Sequence, residues 1–477
     1  MLMNKNNLIR GSAINSAVLS LGFVTALAAP LPLLAASSDS ALSDEAIPLQ
    51  TDKVPERVPP ILEIGDTFLG AGNIKPGFTL PTGAVWQPNL IVWGNFRTAL
   101  GYVDDEVVTG DDELSEWANR LDLFAQVSLS QTDRIVLGVR TFDENSLAED
   151  GGFAGKRWEP DSRTIDPELD LSLAFLEINL AELFPGRKQT KPGGNQRRAL
   201  DIDVAIGRQT IVFQGGVLVN DNMDALAVSK NNLSLFPNST NTRAAFVYAW
   251  NEVNRGDNRE DGEANFYGMF TETDFAKSTV NFDIAGIESD ETGDAVYLGL
   301  SATQRIRKIN TTFRLVHSEP LDDSTDQSTQ GTVATAEINW TPAHTYNNIY
   351  TNFFWAEDEF NSASRDFANG GPLNLVGILY AATGLGNYPA PLGNNAINSF
   401  GGAVGYQMFF QQNRRQLILE LGGRTDTDNT DRRQIAAGAR FQQAIGNRFV
   451  FRFDAYVSEL QKFDAGWGAR TELQVKF

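Results

Sequence analysis

The chain has 477 residues, of which 42% are apolar and 21% are charged, so a mostly disordered chain is excluded. It contains no cysteine and only two histidines, which excludes disulfides, cysteine-ligated zinc, iron–sulfur clusters and covalently attached haem. Asp and Glu outnumber Lys and Arg by 60 to 39, giving a formal charge of −21, and no basic cluster is present. We therefore expect no nucleic-acid partner and no cofactor.

The first 36 residues have the order of a secretory signal peptide. Two basic side chains come first, residues 17–34 are largely apolar, and residues 35–38 are small. Two prolines interrupt the apolar run and a polar segment follows it, which argues against a transmembrane anchor, the competing interpretation. We predict a signal peptide over 1–36 with cleavage near Ala36, and residues 26–28 are the alternative site.

Residues 37–88 are predicted to form a leader to the main body of the protein. The segment contains seven prolines, at intervals that neither a helix nor a central strand tolerates. We predict an extended periplasmic leader. A small plug or a segment that docks a partner is the alternative.

The end of the chain alternates between apolar and polar residues. From Trp467 to Phe477 the odd positions are apolar or small, and the even positions are glycine, charged or amide residues. A period of two predicts a strand whose two faces meet different environments. At about 3.3 Å per residue and a tilt near 40°, the two aromatic residues are about 25 Å apart along the membrane normal, the height of an outer-membrane apolar band.

The same alternation recurs through residues 89–477, in strands that are longer than those of most soluble sheets. Tight turns near 130–134, 411–414 and 444–448 alternate with long polar links, as turns facing the periplasm and loops facing outside would. The sequence therefore predicts an all-β fold, a transmembrane antiparallel up-and-down β-barrel of about eighteen strands. The predicted strands begin near residues 89, 117, 134, 169, 200, 223, 243, 263, 278, 294, 308, 331, 347, 400, 415, 434, 448 and 465.

Two alternatives to this barrel are kept. The strands that begin near 223 and 294 have weak patterns, so sixteen strands is the first. A secreted, soluble all-β protein is the second, although no short repeat of the kind a solenoid needs is visible.

Two short motifs resemble known outer-membrane proteins. A last strand that ends in Phe477 resembles the assembly signal of Gram-negative outer-membrane proteins. This resemblance implies the bacterial outer membrane as the location, with its lipid and lipopolysaccharide and the barrel assembly machinery as partners. The segment Asp203–Gln209, followed by Met223–Leu226, resembles the alginate-export family of outer-membrane barrels. That resemblance implies a channel for export or diffusion of an anionic solute such as an acidic exopolysaccharide, with periplasmic export partners.

Alternation assigns charged side chains of both signs to the lumen of the barrel. An arginine on the lipid face near the midplane would cost about 2–4 kcal/mol, which supports the inward assignment. A ring of charge that selects ions and a set of mutually neutralised charges that stiffens the wall are both compatible with this pattern. The predicted path residues are Arg97, Arg120, Arg140, Arg314, Arg440, Arg452, Arg470, Asp122, Asp454, Glu420 and Glu472, and Asp201, Asp203 and Asp283 are also assigned inward.

Arg208 does not fit this assignment. Strict alternation with Val204 and Ile206 points Arg208 toward lipid, so it lies above the apolar band or Gly207 marks a bulge that turns it inward.

The longest link, Glu359–Ser399, has an internal pattern. A proline follows two glycines, and the apolar residues Leu373, Val376 and Tyr380 come after it at helical spacing. We predict that this segment is helical and folds into the outer mouth as a lid over the channel. A surface loop that does not touch the path is the alternative.

We predict that the protein is not an enzyme. The two histidines are far apart, and no nucleophile motif or phosphate-binding loop is present. Residues 426–431 are acidic but lack the glycine and the closing glutamate of a calcium loop, so no metal site is expected. A general porin and a barrel that sheathes a partner, such as an electron-transfer conduit, are the alternative functions.

Overall fold

The computed structural model describes most of the chain from residue 58 onward. The predicted signal peptide lies outside the described residues, as does most of the predicted leader. Among the described residues, no helix has the length and apolar character needed to cross a membrane. The described ranges are 58–65, 77–105, 113–130, 132–141, 169–184, 201–255, 259–321, 325, 327–374, 377–428, 433–461 and 465–477.

Eighteen antiparallel strands form a closed barrel, because each strand pairs with its neighbours in chain order and the last pairs with the first. The two strands with weak sequence patterns are present as β6 and β10, so the alternative of sixteen strands is wrong. The barrel strands are β1 (Asn89–Asp104), β2 (Leu114–Ser128), β3 (Arg134–Thr141), β4 (Leu169–Asn179), β5 (Ile202–Phe213), β6 (Val219–Leu233), β7 (Ser239–Asn251), β8 (Asn265–Phe275), β9 (Ser278–Glu288), β10 (Ala295–Ile306), β11 (Ile309–Pro320), β12 (Gly331–Trp340), β13 (Asn348–Phe360), β14 (Ala396–Phe410), β15 (Arg415–Asp426), β16 (Arg433–Ile445), β17 (Phe449–Leu460) and β18 (Gly466–Lys476).

The remaining described elements are short. The helix α1 (Leu180–Leu183) begins where the side chain of Asn179 accepts hydrogen bonds from the backbone N–H groups of Ala181 and Glu182. Two 3₁₀ turns cover Gln214–Gly216 and Phe367–Asn369. The short strands are Leu62–Ile64, Phe78–Thr79, Val85–Trp86, Val253–Arg255, Arg259–Asp261 and Ser364–Arg365.

The two faces of the barrel wall differ as the alternation predicts. On β15, Leu419 and Leu421 are 48% and 61% exposed on the outside, whereas Glu420 between them is only 4% exposed. An apolar exterior around a charged interior is the pattern of a barrel that spans a membrane. The prediction of a transmembrane barrel is confirmed, and this architecture indicates the Gram-negative outer membrane.

Cysteine labelling in membranes tests this register, because the native chain has no cysteine. We expect cysteines at Leu419, Phe451 and Val475 to be protected by lipid from a water-restricted thiol reagent. Cysteines at Gln442 and Gln474, which face the lumen in the same part of the wall, should react readily. Equal reaction at both sets of positions would contradict the register.

Links of five or fewer residues prevail at one end of the barrel, and longer links prevail at the other end. The link of residues 180–201 follows β4 at the end that carries the turns, yet it is long. The link of residues 214–218 follows β5 at the opposite end, yet it is short. Since the short turns of outer-membrane barrels face the periplasm, we call the first end periplasmic and the second end outer.

The leader contributes a short strand to the wall. Leu62–Ile64 pairs antiparallel with residues 90–92 of β1. Immediately beside it, the backbone N–H and C=O of Phe477 pair with Gly94 at 3.0 and 2.6 Å. The leader strand therefore continues the line of β18 along the edge of β1, at the seam where the barrel closes.

The outer half of the β5–β6 hairpin leaves the wall and enters the lumen. Pairing of β5 with β4 ends at Arg208, and pairing of β6 with β7 ends at Asp224. We call residues 209–223 the internal hairpin. At its tip, the side chain of Gln214 donates a hydrogen bond of 2.7 Å to Asp283, on the lumen side of β9. The hairpin therefore extends into the interior of the barrel as far as the inner face of β9.

Gly207 stands at the point where the internal hairpin bends away from β4. Its φ of 116° lies in the left-handed region, and a Cβ there would be 2.1 Å from the carbonyl oxygen of Ala174. Only glycine fits such a position. Arg208, the next residue, ion-pairs with Asp224 at 3.0 Å and Glu252 at 2.5 Å, so these carboxylates satisfy its charge at the edge of the wall.

Candidate functional site

Six consecutive strands around the closing seam each place one predicted arginine in the lumen. We call these residues the arginine belt, and they are Arg440 on β16, Arg452 on β17, Arg470 on β18, Arg97 on β1, Arg120 on β2 and Arg140 on β3. The strands follow one another in the closed sheet, so the sequence positions 440–470 and 97–140 become neighbours only when the barrel closes.

Three carboxylates are shared among these arginines. Glu472 contacts the guanidinium nitrogens of Arg97 at 2.6 Å and Arg470 at 2.7 Å, and Arg452 at the longer distance of 3.6 Å. Asp454 contacts Arg440 at 2.5 Å. With Asp122, described next, three carboxylates contact all six arginines of the belt.

The third carboxylate, Asp122, lies on β2 between two arginines. Its two oxygens are 3.1 Å from Arg120 and 2.9 Å from Arg140. Charges that share partners in this way hold the wall rigid, and the six arginines outnumber these three carboxylates. The predicted selectivity role and the predicted stiffening role are therefore compatible.

The long link after β13, residues 361–395, folds into the barrel, and we call it the internal loop. Three of the belt arginines donate to consecutive carbonyl groups of this loop. Arg97 donates to Thr383 and Gly384 at 3.1 and 2.8 Å, and Arg120 donates to Gly384 at 2.9 Å. Arg470 donates to the carbonyl of Leu385 at 3.1 Å. These arginines thus position the loop as well as charging the lumen.

Two glutamates of the barrel wall bind backbone N–H groups of the internal loop, whereas the arginines bind its carbonyl groups. Glu420 of β15 accepts hydrogen bonds from the backbone N–H of Ile378 at 2.7 Å and from the hydroxyl of Tyr350 at 2.6 Å. Glu116 of β2 accepts from the backbone N–H of Asn387 at 2.6 Å. Glu420 was predicted as a path residue, and the structure places it in this buried attachment.

The predicted lid residues lie in this loop. Leu373 and Tyr380 are fully buried, and Val376 is outside the described residues. The ring of Tyr380 meets Phe354 of β13 edge-on at 5.4 Å, and its hydroxyl donates to the carbonyl of Gly423 at 2.7 Å. Whether this segment acts as a lid stays a prediction.

The helix predicted for the lid segment is wrong in the part that the structure describes. Residues 370–374 and 377–384 contain turns and bends but no helix. Gly377 and Gly384 have φ values of 124° and 62°, which a right-handed helix cannot contain. The N–H of Ile378 bonds to a carboxylate of the wall rather than to a carbonyl four residues earlier.

The other predicted lumen charges lie away from the belt. Arg314 forms an ion pair with Glu337, and Gly215 at the tip of the internal hairpin lies against its guanidinium. Asp203 accepts from Asn179 at 2.6 Å and from Asn231 at 2.9 Å. Asp201 accepts from Asn232 at 2.6 Å, and Asp283 holds the hairpin tip as described above.

The sequence gives no signal for Arg255, which links four outer segments. It is fully buried, and its guanidinium contacts Ala363 of the internal loop, Thr292 after β9 and Ser328 after β11. Thr292 in turn donates to Asp261 at 2.7 Å. An isolated arginine in a polar link cannot be recognised from the sequence as such a hub, because its partners come from separate loops.

In the described part of the chain, no three histidine, aspartate or glutamate side chains are grouped so that they could hold a metal ion.

The arginine belt offers guanidinium donors, which bind carboxylates and phosphates with directional hydrogen bonds. The arrangement is therefore suited to contacting an anion in water.

Comparison with solved structures finds bacterial porins. OccK9 (OpdG) of Pseudomonas aeruginosa superposes with a TM-score of 0.56 and 10% identity, over 81% of this chain and 98% of that chain. A BenF-like porin from Pseudomonas fluorescens Pf-5 gives 0.53 and 7%, over 81% and 98%. OccK2 (OpdF) of Pseudomonas aeruginosa, solved with glucuronate, gives 0.52 and 9%, over 81% and 98%. At these identities the likeness establishes the eighteen-stranded fold. No protein-family model and no curated protein matches the sequence.

Proposed function

We propose that the protein is an outer-membrane channel through which small anionic solutes diffuse. The observation that carries this proposal is the set of six lumen arginines on six consecutive strands, at the wall of a barrel whose fold is that of porins. Guanidinium groups that line a lumen lower the free energy of an anion there and raise that of a cation.

The interior favours small solutes over a polymer. The internal hairpin extends into the lumen, and the internal loop is held against the wall at both Arg97 and Glu420. A polysaccharide chain in transit would need both segments to move together. We therefore prefer diffusion of small anions over export of an acidic exopolysaccharide, the role implied by the resemblance to the alginate-export family.

The comparison with OccK2 supports the same solute class. That porin was solved with glucuronate, a sugar that carries a carboxylate. A carboxylate of this kind matches the guanidinium groups of the arginine belt in both charge and geometry. We extend the solute class to this chain as part of the proposal.

Planar-bilayer recording tests the proposal directly. The purified barrel should form steady ion-conducting pores, and a gradient of potassium chloride should give a reversal potential with anions more permeant than cations. Potassium gluconate should reduce the chloride current, since gluconate would occupy the same lumen. A cation-selective pore, or no conductance from correctly folded protein, would refute an anion channel.

A further inference from the structure

The links at the periplasmic end from β8 to β17 carry basic residues but no Asp or Glu. The whole chain has 60 acidic and 39 basic residues, so composition alone predicts acids in these links. At the outer end, the same strands carry exposed acids, such as Glu288, Glu357 and Glu459. The basic charge therefore belongs to one end of this half of the barrel. The five links are residues 276–277, 307–308, 341–347, 411–414 and 446–448, and their Lys and Arg residues are Lys277, Arg307, Lys308, Arg414 and Arg448.

The last two of these links and the end of β18 bring four basic residues together. The guanidinium of Arg414 donates to the carbonyl of Gly446 at 2.5 Å, which joins the two links. The carbonyl of Arg448 accepts from the backbone N–H of Lys476 at 2.8 Å, which joins the second link to β18. Arg415 follows Arg414 at the start of β15. We call Arg414, Arg415, Arg448 and Lys476 the rim cluster.

The charges of the rim cluster are not balanced by carboxylates in the described part of the chain. Arg415 donates to the side-chain oxygen of Gln443 at 2.6 Å, and Arg414 donates to a carbonyl, so both bond to uncharged acceptors. Arg415, Arg448 and Lys476 are exposed. Like charges that are close together repel one another, and an external anion would relieve this repulsion.

The rim cluster lies beside side chains that face lipid. Arg415 is four residues before Leu419 on β15, so both point to the lipid face of the barrel. Phe410 is paired with Arg415 across β14 and β15 and is 45% exposed. Ile445 and Phe449, on either side of the link 446–448, are 52% and 42% exposed. Basic side chains at the edge of an apolar band lie at the height of the lipid headgroups.

This position favours a lipid over a soluble partner. A soluble acidic protein in the periplasm could reach the tips of the links but not Arg415, which points sideways toward lipid. A phospholipid reaches both the charges and the exposed apolar side chains, because it carries a phosphate and acyl chains in one molecule. The cluster therefore fits a ligand that is anionic at one end and apolar at the other.

We propose that the rim cluster binds the headgroup of an anionic phospholipid in the inner leaflet of the outer membrane. The phosphate contacts the guanidinium groups, and the acyl chains lie along Phe410, Ile445 and Phe449. A zwitterionic phospholipid also has a phosphate, but the cluster repels its ammonium group. The proposal does not depend on what passes through the channel.

The experiment compares lipid binding in the native barrel and in the double variant Arg415→Gln/Arg448→Gln. The barrel is mixed in detergent with equal amounts of phosphatidylglycerol and phosphatidylcholine of the same chain length, and native mass spectrometry measures the retained lipids. The native barrel should retain more phosphatidylglycerol. Each lost cation near an anionic headgroup should weaken retention about fivefold, so the double variant should retain both lipids equally. If the double variant does not fold, Arg415→Gln alone should show a fivefold loss.

Arg433→Gln is the matched control, because Arg433 is an exposed arginine at the outer end of β16. It should prefer phosphatidylglycerol as the native barrel does. Equal retention of the two lipids by the native barrel would overturn the proposal, as would an unchanged preference in the Arg415 variants. Binding of the native barrel to sedimented peptidoglycan, lost in the double variant without any lipid preference, would assign the cluster to the cell wall instead.

Discussion

Deleting Leu373–Tyr380 should increase the single-channel conductance severalfold. This stretch contains the residues that hold the outer part of the internal loop, including Ile378 on Glu420 and Tyr380 on Phe354. Its removal empties space along β13–β16, and conductance rises with the open cross-section. Planar-bilayer recording measures the change, and uptake of bulky solutes into proteoliposomes should rise with it.

The control for this deletion keeps the loop at full length. Glu420→Gln loses the negative charge that accepts the loop N–H groups but retains a carbonyl oxygen at the same place. We expect its conductance to fluctuate between the native level and a higher level rather than to rise permanently. A deletion variant that folds normally and conducts like the native protein would show that the loop does not limit the path.

The barrel is predictable from sequence because its signal is local. Membrane on one side and a charged lumen on the other impose a period of two on every strand, and Leu419, Glu420 and Leu421 show it within three residues. Two strands, β6 and β10, have weak sequence patterns, and the structure gives a physical reason for the weak pattern of β6. Its first residues, 219–223, face a packed lumen and water rather than lipid.

The internal hairpin leaves a trace in the sequence that alternation alone does not resolve. The outward face of β5 changes from Val204 and Ile206 to Arg208 and Thr210, where the hairpin departs from the wall. A polar outward residue also occurs where a strand simply rises above the apolar band. The two cases differ only in whether β5 and β6 still pair with β4 and β7 at this point. Such pairing cannot be read from the local sequence.

In the internal loop, the local sequence pattern predicts the wrong conformation. Its spacing predicts a helix, yet its conformation is set by contacts far away in the chain, such as the bond from Arg97 to Gly384 across 287 residues. Carbonyl and N–H groups that bond to wall side chains no longer need helical partners. The charged residues of the belt could be placed by alternation, but their use as loop supports could not.

Replacing Arg452 by glutamate should reduce the ratio of anion to cation permeability severalfold. Arg452 is the belt arginine whose contacts are longest, 3.6 Å to Glu472 and 3.4 Å to Gln442, and its side chain is 24% exposed. It therefore offers its charge to a passing anion and contributes least to the fold. Arg452→Glu makes the charge of the belt more negative by two units, and the local potential falls accordingly.

Arg470 provides the contrast within the same belt, because its side chain is 1% exposed and supports both Glu472 and the carbonyl of Leu385. Arg470→Gln should lower the temperature at which the folded barrel unfolds in detergent, since it leaves a buried carboxylate with one partner fewer. Arg452→Gln should leave that temperature nearly unchanged while it still lowers anion selectivity. If Arg452→Glu and Arg452→Gln both keep the native permeability ratio, the charge of Arg452 does not set the selectivity of the pore.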